Sequence, residues 1–248
     1  MKHLIGIMRP GLAWLLLATL TGCASLPAGT QTDLRDPFER SNRATFKFNM
    51  ALDRTVARPV ARAYTKVVPR PIRNSLSNVL DNAGYPTVIV SQLLQGKLAD
   101  TGRDSARLLV NTVMGVGGLF DVATDMGLDR HDEDFGQVLG KWGVPPGPYL
   151  MLPVLGPSSM RDSWGKLPDQ LTNGTHYISD ATVRYGVSAF RLLDDRANLL
   201  KGDALLARAA DPYVFVRSAW LQHREFEVRD GNVATTPDEF ADPEAAAP

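Results

Sequence analysis

Residues 71–96 read PIRNSLSNVLDNAGYPTVIVSQLLQG, a sequence that indicates a helical fold. In its first half the apolar side chains lie three or four positions apart, as on one face of a helix; they are Ile72, Leu76, Val79, Leu80 and Ala83. Proline lacks an amide donor and clashes with the preceding turn, so Gly84-Tyr85-Pro86 is expected to break this helix. Residues 88–94 are almost entirely apolar, which predicts a helical segment that faces lipid or is fully buried, with full burial favoured.

The same helical signals extend outward from this stretch in both directions. Asp36-Pro37 and Asp211-Pro212 are typical helix starts, with an aspartate cap followed by proline at the first helical position. Pro59 and Pro69 are expected to interrupt the N-terminal helical region. Helical spacing also marks residues 38–56, 108–116, 120–126, 135–142 and 178–193. No series of alternating strands is evident, so the predicted fold class is all-α with proline-broken helices.

One uncharged segment does not fit an ordinary helical bundle. Residues 143–160, GVPPGPYLMLPVLGPSSM, include five prolines and cannot be helical throughout. Such a segment is either a loop packed across the core or a surface that meets an apolar partner. If it meets lipid, the side chains expected to line the lipid path are Tyr149, Leu150, Leu152, Val154 and Leu155.

Basic residues are concentrated near the beginning of the helical region. Between residues 39 and 73 there are nine basic and only two acidic residues. Five of the basic residues recur every fourth position and would form a ladder along one helix face; they are Arg54, Arg58, Arg62, Lys66 and Arg70. This ladder either meets anionic lipid headgroups or is simply a solvated helix face.

The N-terminus is typical of a secreted and lipid-anchored precursor. Lys2 and Arg9 precede a short apolar run at residues 12–20, which is too short to span a membrane. Leu20-Thr21-Gly22-Cys23 resembles the lipobox of bacterial lipoproteins. We therefore expect cleavage after residue 22 and attachment of diacylglycerol and an N-acyl chain to Cys23. The alternative is a plain secreted protein that keeps its single cysteine as a free thiol.

The predicted organisation has four parts. Residues 1–22 are a signal peptide, residues 23–35 a lipidated tether, residues 36–229 a helical domain and residues 230–248 a disordered acidic tail. Cleavage removes two of the 27 basic residues, so the mature chain carries 25 basic and 27 acidic residues. That balance gives no indication of a nucleic-acid partner.

The sequence contains no convincing catalytic motif. His131-Asp132-Glu133-Asp134 has the side chains of a metal site, but consecutive positions point in different directions on any regular element. Gly115-Val116-Gly117-Gly118 lacks the Lys-Ser/Thr of a phosphate loop, and no Gly-x-Ser-x-Gly elbow is present. We therefore predict no catalytic, cofactor-binding or metal-binding residues.

Many short motifs between residues 36 and 162 match one family in the same order. They are DPFERSNR at 36–43, FKFN at 46–49, LDR at 52–54, RPVA at 58–61, VVP at 67–69, LLQG at 93–96, GGLFDVA at 117–123, DFGQVLGKWGV at 134–144, GPYLMLP at 147–153, GPS at 156–158 and RD at 161–162. Together they resemble the MlaA (VacJ) lipoproteins, with a looser match at DPY, 211–213. One departure is Asn82-Ala83-Gly84-Tyr85-Pro86, where the family commonly has an acidic residue before the proline.

The resemblance implies an irregular, ring-like helical protein on the periplasmic side of the outer membrane. It would remove mislocalised phospholipids from the outer leaflet and pass them through an amphipathic channel, without covalent chemistry. Its implied partners are phospholipids, the outer-membrane bilayer, a trimeric porin and a soluble periplasmic lipid carrier of the Mla system. Two alternatives stay open: a structural lipoprotein that scaffolds a porin, and a periplasmic lipid hydrolase.

Overall fold

Helices make up most of the part of the chain that the computed structural model describes, residues 35–232. The predicted signal peptide, Cys23 and nearly all of the predicted tether lie outside this range, as does most of the predicted tail. The four-part organisation of the chain therefore stays a prediction. The helical domain predicted for residues 36–229 falls within the described range.

The elements are named here in chain order. They are α1 (Glu39–Leu52), a π-helical turn (Asp53–Ala57), α2 (Arg58–Val67), α3 (Arg70–Gln95), α4 (Leu98–Val113), α5 (Val122–Asp125), α6 (Phe135–Lys141), β1 (Tyr149–Leu152), β2 (Gly156–Ser159), α7 (Met160–Thr172), a 3₁₀ turn (Gly174–Tyr177), α8 (Ala181–Leu199), a 3₁₀ turn (Leu200–Gly202), α9 (Asp203–Arg208) and α10 (Pro212–Val228).

The all-α prediction is confirmed, with one small exception in the uncharged segment. Within residues 143–160 the chain forms an antiparallel hairpin in which Tyr149 lies opposite Ser159 and Leu152 lies opposite Gly156. The prolines that prevent a helix here are compatible with a two-stranded edge and its turn.

The two Asp-Pro signals have different outcomes. Asp211 caps α10 as predicted, because its carboxylate accepts hydrogen bonds from the backbone amides of Tyr213 at 2.9 Å and Val214 at 3.3 Å. The cap predicted at Asp36 is wrong. Helix α1 begins at Glu39, no side chain caps it, and Asp36 is fully buried with partners elsewhere in the fold.

The break predicted at Pro86 is also wrong. Helix α3 continues through Pro86 for 26 residues and ends at Gly96, whose left-handed φ of 78° suits glycine. An internal proline costs about 3 kcal/mol or more in an isolated helix. Contacts of α3 with α4, α6, α7 and α8 offset that cost. A local sequence pattern does not reveal these contacts.

The earlier prolines behave differently from one another. Pro69 separates α2 from α3, as predicted. Pro59 does not interrupt the chain, because the π-helical turn leads directly into α2 and places Pro59 in its first turn. The missing amide of a proline costs little at that position.

The full burial favoured for residues 88–94 is wrong as well. Ser91 and Gln92 are buried there, whereas Leu93 and Leu94 are exposed. This part of α3 therefore presents leucines outward and polar side chains toward α4, the reverse of an ordinary core helix.

Among the described residues, the packed elements form a closed series in which each element contacts the next. Helix α1 leads through the π-helical turn to α2, α2 packs on α8, and α8 packs on α3. Helix α3 packs on α6 and α7, α7 packs on β2, and β1 returns to α1.

The core is small and rich in tyrosine. Tyr149 and Tyr213 are fully buried, with ring centroids 6.3 Å apart, and Trp220 packs edge-on against Tyr149 at 5.8 Å. Elsewhere α6 and α7 approach closely at Gly136 and Gly165. A Cβ added at Gly165 would lie 2.6 Å from the backbone nitrogen of Gly136, so only glycine permits this contact.

Candidate functional site

A cavity of about 440 Å³ lies between α3, α7 and α8. Its wall is apolar in part, with side chains from α3, from α8 and from the hairpin turn; these are Leu80, Val88, Leu155, Val187 and Leu192. The rest of the wall is charged or aromatic and includes Asp81, Tyr85, Arg130, His131, Asp132, Glu133, Asp169 and Arg191. An apolar and a charged wall therefore face the same space.

Asp81 holds the two arginines of the charged wall. Its Oδ1 accepts a hydrogen bond from Arg191 Nη1 at 2.6 Å, and its Oδ2 accepts one from Arg130 Nη1. Asp81 is largely buried, whereas 41% of each arginine side chain is exposed. The carboxylate thus fixes two guanidinium groups that still reach the cavity. The sequence alone does not indicate this cluster, because Asp81 is 49 positions from Arg130 and 110 positions from Arg191.

The side chains of the acidic and histidine-containing segment do not converge. His131 Nδ1 lies 2.8 Å from Oδ2 of the buried Asp104, and Glu133 binds Lys97 Nζ at 2.5 Å. Asp134 caps α6 and pairs with Arg224. Within residues 35–232 no group of three or more potential metal ligands comes together.

Asp169 is the carboxylate of the cavity wall with the most perturbed ionisation. Burial raises the pKa of Asp169 to about 6 and nearby Asp134 adds to the rise, although the backbone amide of Phe135 donates to Oδ1 at 2.9 Å and opposes it. Asp169 therefore becomes ionised near neutral pH.

This raised pKa predicts a pH-dependent effect on stability. Between the unfolded pKa near 4 and the folded pKa near 6, the folded chain holds a proton that the unfolded chain has released, so Asp169 penalises folding more as pH rises. We expect Asp169→Asn to be more stable than the original chain at pH 7.5 and to lose most of that advantage by about pH 4. Thermal unfolding of both proteins across this range measures the difference. An advantage independent of pH would contradict the assignment.

The hairpin places the five candidate lipid-path residues in different environments. Tyr149 packs in the core, and Leu150 and Leu152 are half-buried. Val154 and Leu155 lie at the turn, with 53% and 59% of their surfaces exposed. Of the five, Leu155 contributes to the cavity wall. Both alternatives for this segment therefore have support, since its strands meet the core and its turn is exposed. The lipid-path role itself stays a prediction.

Two asparagines of α1 fix the first strand of the hairpin. Asn42 donates through Nδ2 to the Tyr149 carbonyl at 3.0 Å and accepts through Oδ1 from the Met151 amide at 2.8 Å. Asn49, two turns later on the same face, forms the same pair of bonds with the Leu152 carbonyl at 2.9 Å and the Val154 amide at 2.8 Å. Each amide side chain thus satisfies one backbone donor and one backbone acceptor of β1 or of the turn that follows it.

The basic ladder lies on more than one element. Arg54, Arg62, Lys66 and Arg70 are exposed, but Arg70 starts α3, beyond the break at Pro69. Arg58 is half-buried and binds Asp53 at 2.9 Å and Asp203 at 3.4 Å. The ladder thus ends before Arg70, and a headgroup-facing role for its members stays a prediction.

Tyr85 precedes Pro86, at the position where the family that the sequence resembles commonly has an acidic residue. It is almost fully buried, and the Arg107 guanidinium lies 5.7 Å from its ring centroid. Burial raises the pKa of Tyr85 to about 12, so its side chain is neutral. Arg107 finds its carboxylate at Asp121 instead, at 2.6 Å.

The fold and the cavity define a helical protein with one apolar and one charged internal wall. Residues 34–227 match the MlaA lipoprotein family model, and the chain belongs to this family. No described helix is both long and apolar enough to span a bilayer.

Curated relatives and a solved structure agree with this assignment. The chain is 37% identical to the intermembrane phospholipid transport system lipoproteins MlaA of Shigella flexneri and of Escherichia coli K12, over 91% of this chain and 92% of each relative. The Haemophilus influenzae lipoprotein of the same name is 33% identical over 93% of this chain and 94% of its own. A structure solved to explain maintenance of bacterial outer-membrane lipid asymmetry superposes with a TM-score of 0.72 at 37% identity, covering 78% of this chain and 98% of the solved chain.

Proposed function

We propose that this chain removes mislocalised phospholipids from the outer leaflet of the outer membrane and passes them through its cavity toward a periplasmic carrier. The observation that carries the proposal is the cavity, which has an apolar and a charged wall in a member of the MlaA lipoprotein family. The relatives are named for intermembrane phospholipid transport.

The two walls suit the two ends of a diacyl lipid. Acyl chains lose free energy when they are exposed to water, and a charged headgroup loses far more when it is buried without partners. Leu80, Val88 and Leu192 can cover acyl chains while Arg130 and Arg191 face the headgroup. A lipid can then pass without exposing either end to the wrong medium.

Attachment to the membrane is proposed to come from Cys23. The lipobox places Cys23 at the cleavage site. The residue after this cysteine takes part in sorting, and Ala24 at that position resembles lipoproteins that are sent to the outer membrane. Several acyl chains on one cysteine suffice for stable anchoring, since each buried methylene contributes about 0.8 kcal/mol. The mature chain would thus lie on the periplasmic side of the outer membrane.

A trimeric porin and a soluble carrier are the proposed protein partners. The resemblance supports both, and large apolar side chains exposed away from the cavity support a membrane or porin contact; examples are Phe48, Val113, Met114, Trp164 and Tyr185. Co-purification of a porin with the full chain from detergent-solubilised outer membranes tests the first contact. Recovery of the chain without any porin would contradict it.

The cavity supports transport better than hydrolysis. Ser188 is the wall serine on α8, and its hydroxyl donates to the Arg184 carbonyl at 3.1 Å. His131 binds Asp104, and among the described residues no serine hydroxyl is hydrogen-bonded to it. A nucleophile activated by a neighbouring base is therefore missing from the wall. We propose that the chain is not an enzyme.

The full chain, expressed in cells that lack their own family member, tests the function. We expect surface-exposed phospholipid to fall to the level of cells with an intact system. Unchanged surface phospholipid at normal protein level would overturn transport and favour a scaffold. Release of free fatty acid by the purified chain would favour the hydrolase.

A charge at the hairpin turn tests the lipid path. In Leu155→Asp a carboxylate would replace an apolar side chain of the cavity wall and would meet passing acyl chains, so we expect surface phospholipid to accumulate at a normal protein level. Leu205→Asp is the matched control, because Leu205 is equally exposed on α9 and does not line the cavity. Met151→Asp, inside the core, should lower protein level instead. Normal asymmetry in Leu155→Asp would remove the turn from the path.

A further inference from the structure

The charges of the cavity wall occur in mixed clusters. Besides Asp81, Arg130 Nη2 has Asp132 Oδ1 at 3.4 Å, and Arg191 Nε has Asp195 Oδ1 at 3.3 Å. Two guanidinium groups are thus surrounded by three carboxylates. Burial lowers the pKa of Arg191, and the nearby charge of Arg130 lowers it further. Asp81 and Asp195 outweigh both effects, so this pKa is raised overall. Asp81 therefore keeps two like charges close together.

Both arginines keep hydrogen-bonding capacity for a ligand. A guanidinium has five N–H donors, and Arg191 donates to carboxylates through Nη1 and Nε while Arg130 does so through Nη1 and Nη2. The remaining donors belong to side chains that are 41% exposed toward the cavity region. Paired guanidinium groups of this kind suit a phosphate oxygen.

The same cavity presents carboxylates whose acceptor positions are only partly used. Asp169 has no ion pair among the residues described, and only its Oδ1 accepts a hydrogen bond, from the Phe135 amide. Asp132 is 76% exposed and has one long contact, with Arg130. Glu133 differs, because Lys97 already neutralises it. Asp169 and Asp132 thus leave acceptor positions for an ammonium group.

The balance of charge argues against a simple anion. Asp81, Asp132 and Asp169 outnumber the two arginines that line the cavity, so a ligand with only negative charge would be repelled overall. A ligand with a phosphate and an ammonium group matches both kinds of side chain. We propose that the cavity holds a subsite for a zwitterionic phospholipid headgroup of the phosphoethanolamine type. Its phosphate would bind Arg130 and Arg191, and its ammonium would bind Asp169 and Asp132.

This proposal rests on the proposed function and adds a headgroup preference to it. The test offers the full chain in detergent equal amounts of phosphatidylethanolamine, phosphatidylglycerol and diacylglycerol with identical acyl chains. Mass spectrometry then measures the lipids that stay bound. We expect phosphatidylethanolamine to exceed phosphatidylglycerol by about two- to five-fold, the range of an accessible ion pair.

Three variants separate the two halves of the subsite. Asp169→Asn should bring the ratio of the two phospholipids toward one. R130Q/R191Q should lower binding of both phospholipids relative to diacylglycerol. That double variant leaves the buried Asp81 without its two arginine partners. The triple variant D81N/R130Q/R191Q repeats the test without an unpaired buried charge. R103Q/R208Q, on the exposed surface of α4 and α9, removes the same charge and should change nothing.

The outcomes distinguish failure of the subsite from failure of the function. Equal binding of the three lipids, or an unchanged ratio in Asp169→Asn, overturns the subsite and leaves lipid transport standing. Binding of no lipid at all overturns the proposed function and the subsite with it. Displacement of bound phospholipid by millimolar inorganic phosphate would mean that the arginines serve free phosphate, which also overturns the proposal.

Discussion

Asp36→Ala is expected to lower the free energy of unfolding by about 3–5 kcal/mol, the largest effect on stability among the changes considered. The Asp36 carboxylate is fully buried, accepts from Arg217 Nη1 and Asn42 Nδ2 at 2.8 and 2.7 Å, and also accepts from the Tyr213 hydroxyl. Its removal takes this acceptor from the Arg217 guanidinium, the Tyr213 hydroxyl and the Asn42 amide, of which Asn42 keeps the Tyr149 carbonyl. The cost is high because those groups cannot reach water.

Urea unfolding of the purified chain measures this effect. Asp100→Ala is the control, because Asp100 forms only an exposed pair with Arg103 and should change stability by less than about 1 kcal/mol. D36N/R217M removes both charges and should recover most of the loss. An unfolding midpoint of Asp36→Ala that matches the original chain would show that this ion pair does not stabilise the fold.

Cys23→Ala is expected to abolish lipidation of the chain and its attachment to the outer membrane. Without the thiol no diacylglycerol can be added, and the chain loses acyl chains that each contribute about 0.8 kcal/mol per methylene to membrane binding. We expect the precursor to keep residues 1–22 and to be absent from the outer-membrane fraction. Fractionation with intact-mass measurement tests both points. Ser25→Ala, two positions later, should be processed and anchored normally, and anchoring of Cys23→Ala would disprove the lipobox.

Local signals in the sequence predict elements but not their partners. Asp211 and Asp36 both precede proline, and only Asp211 caps a helix. The difference lies in Arg217, which is 181 positions from Asp36 and attracts its carboxylate into the core. A cap depends on three or four neighbouring residues, so sequence reveals it; a buried ion pair depends on the folded chain.

The same distinction applies to the cavity. The uncharged composition of residues 143–160 indicates a special segment, and its turn does reach the cavity through Leu155. The four-residue period of the basic ladder is equally visible, yet the arginines that line the cavity are Arg130 and Arg191. They follow no period, because Asp81 brings them together from separate elements. Pro86 shows the same dependence on distant residues, because packing with other helices keeps α3 continuous through this proline.

The bond between the Arg35 carbonyl and the Tyr149 amide, 2.8 Å long, has a mechanical consequence. Residue 35 is the first residue that the structure describes, and its neighbour there is β1. Asn42 and Asn49 tie the same strand to α1. A pull on the chain at residue 35 would therefore act first on the hairpin, and the turn of that hairpin borders the cavity through Leu155.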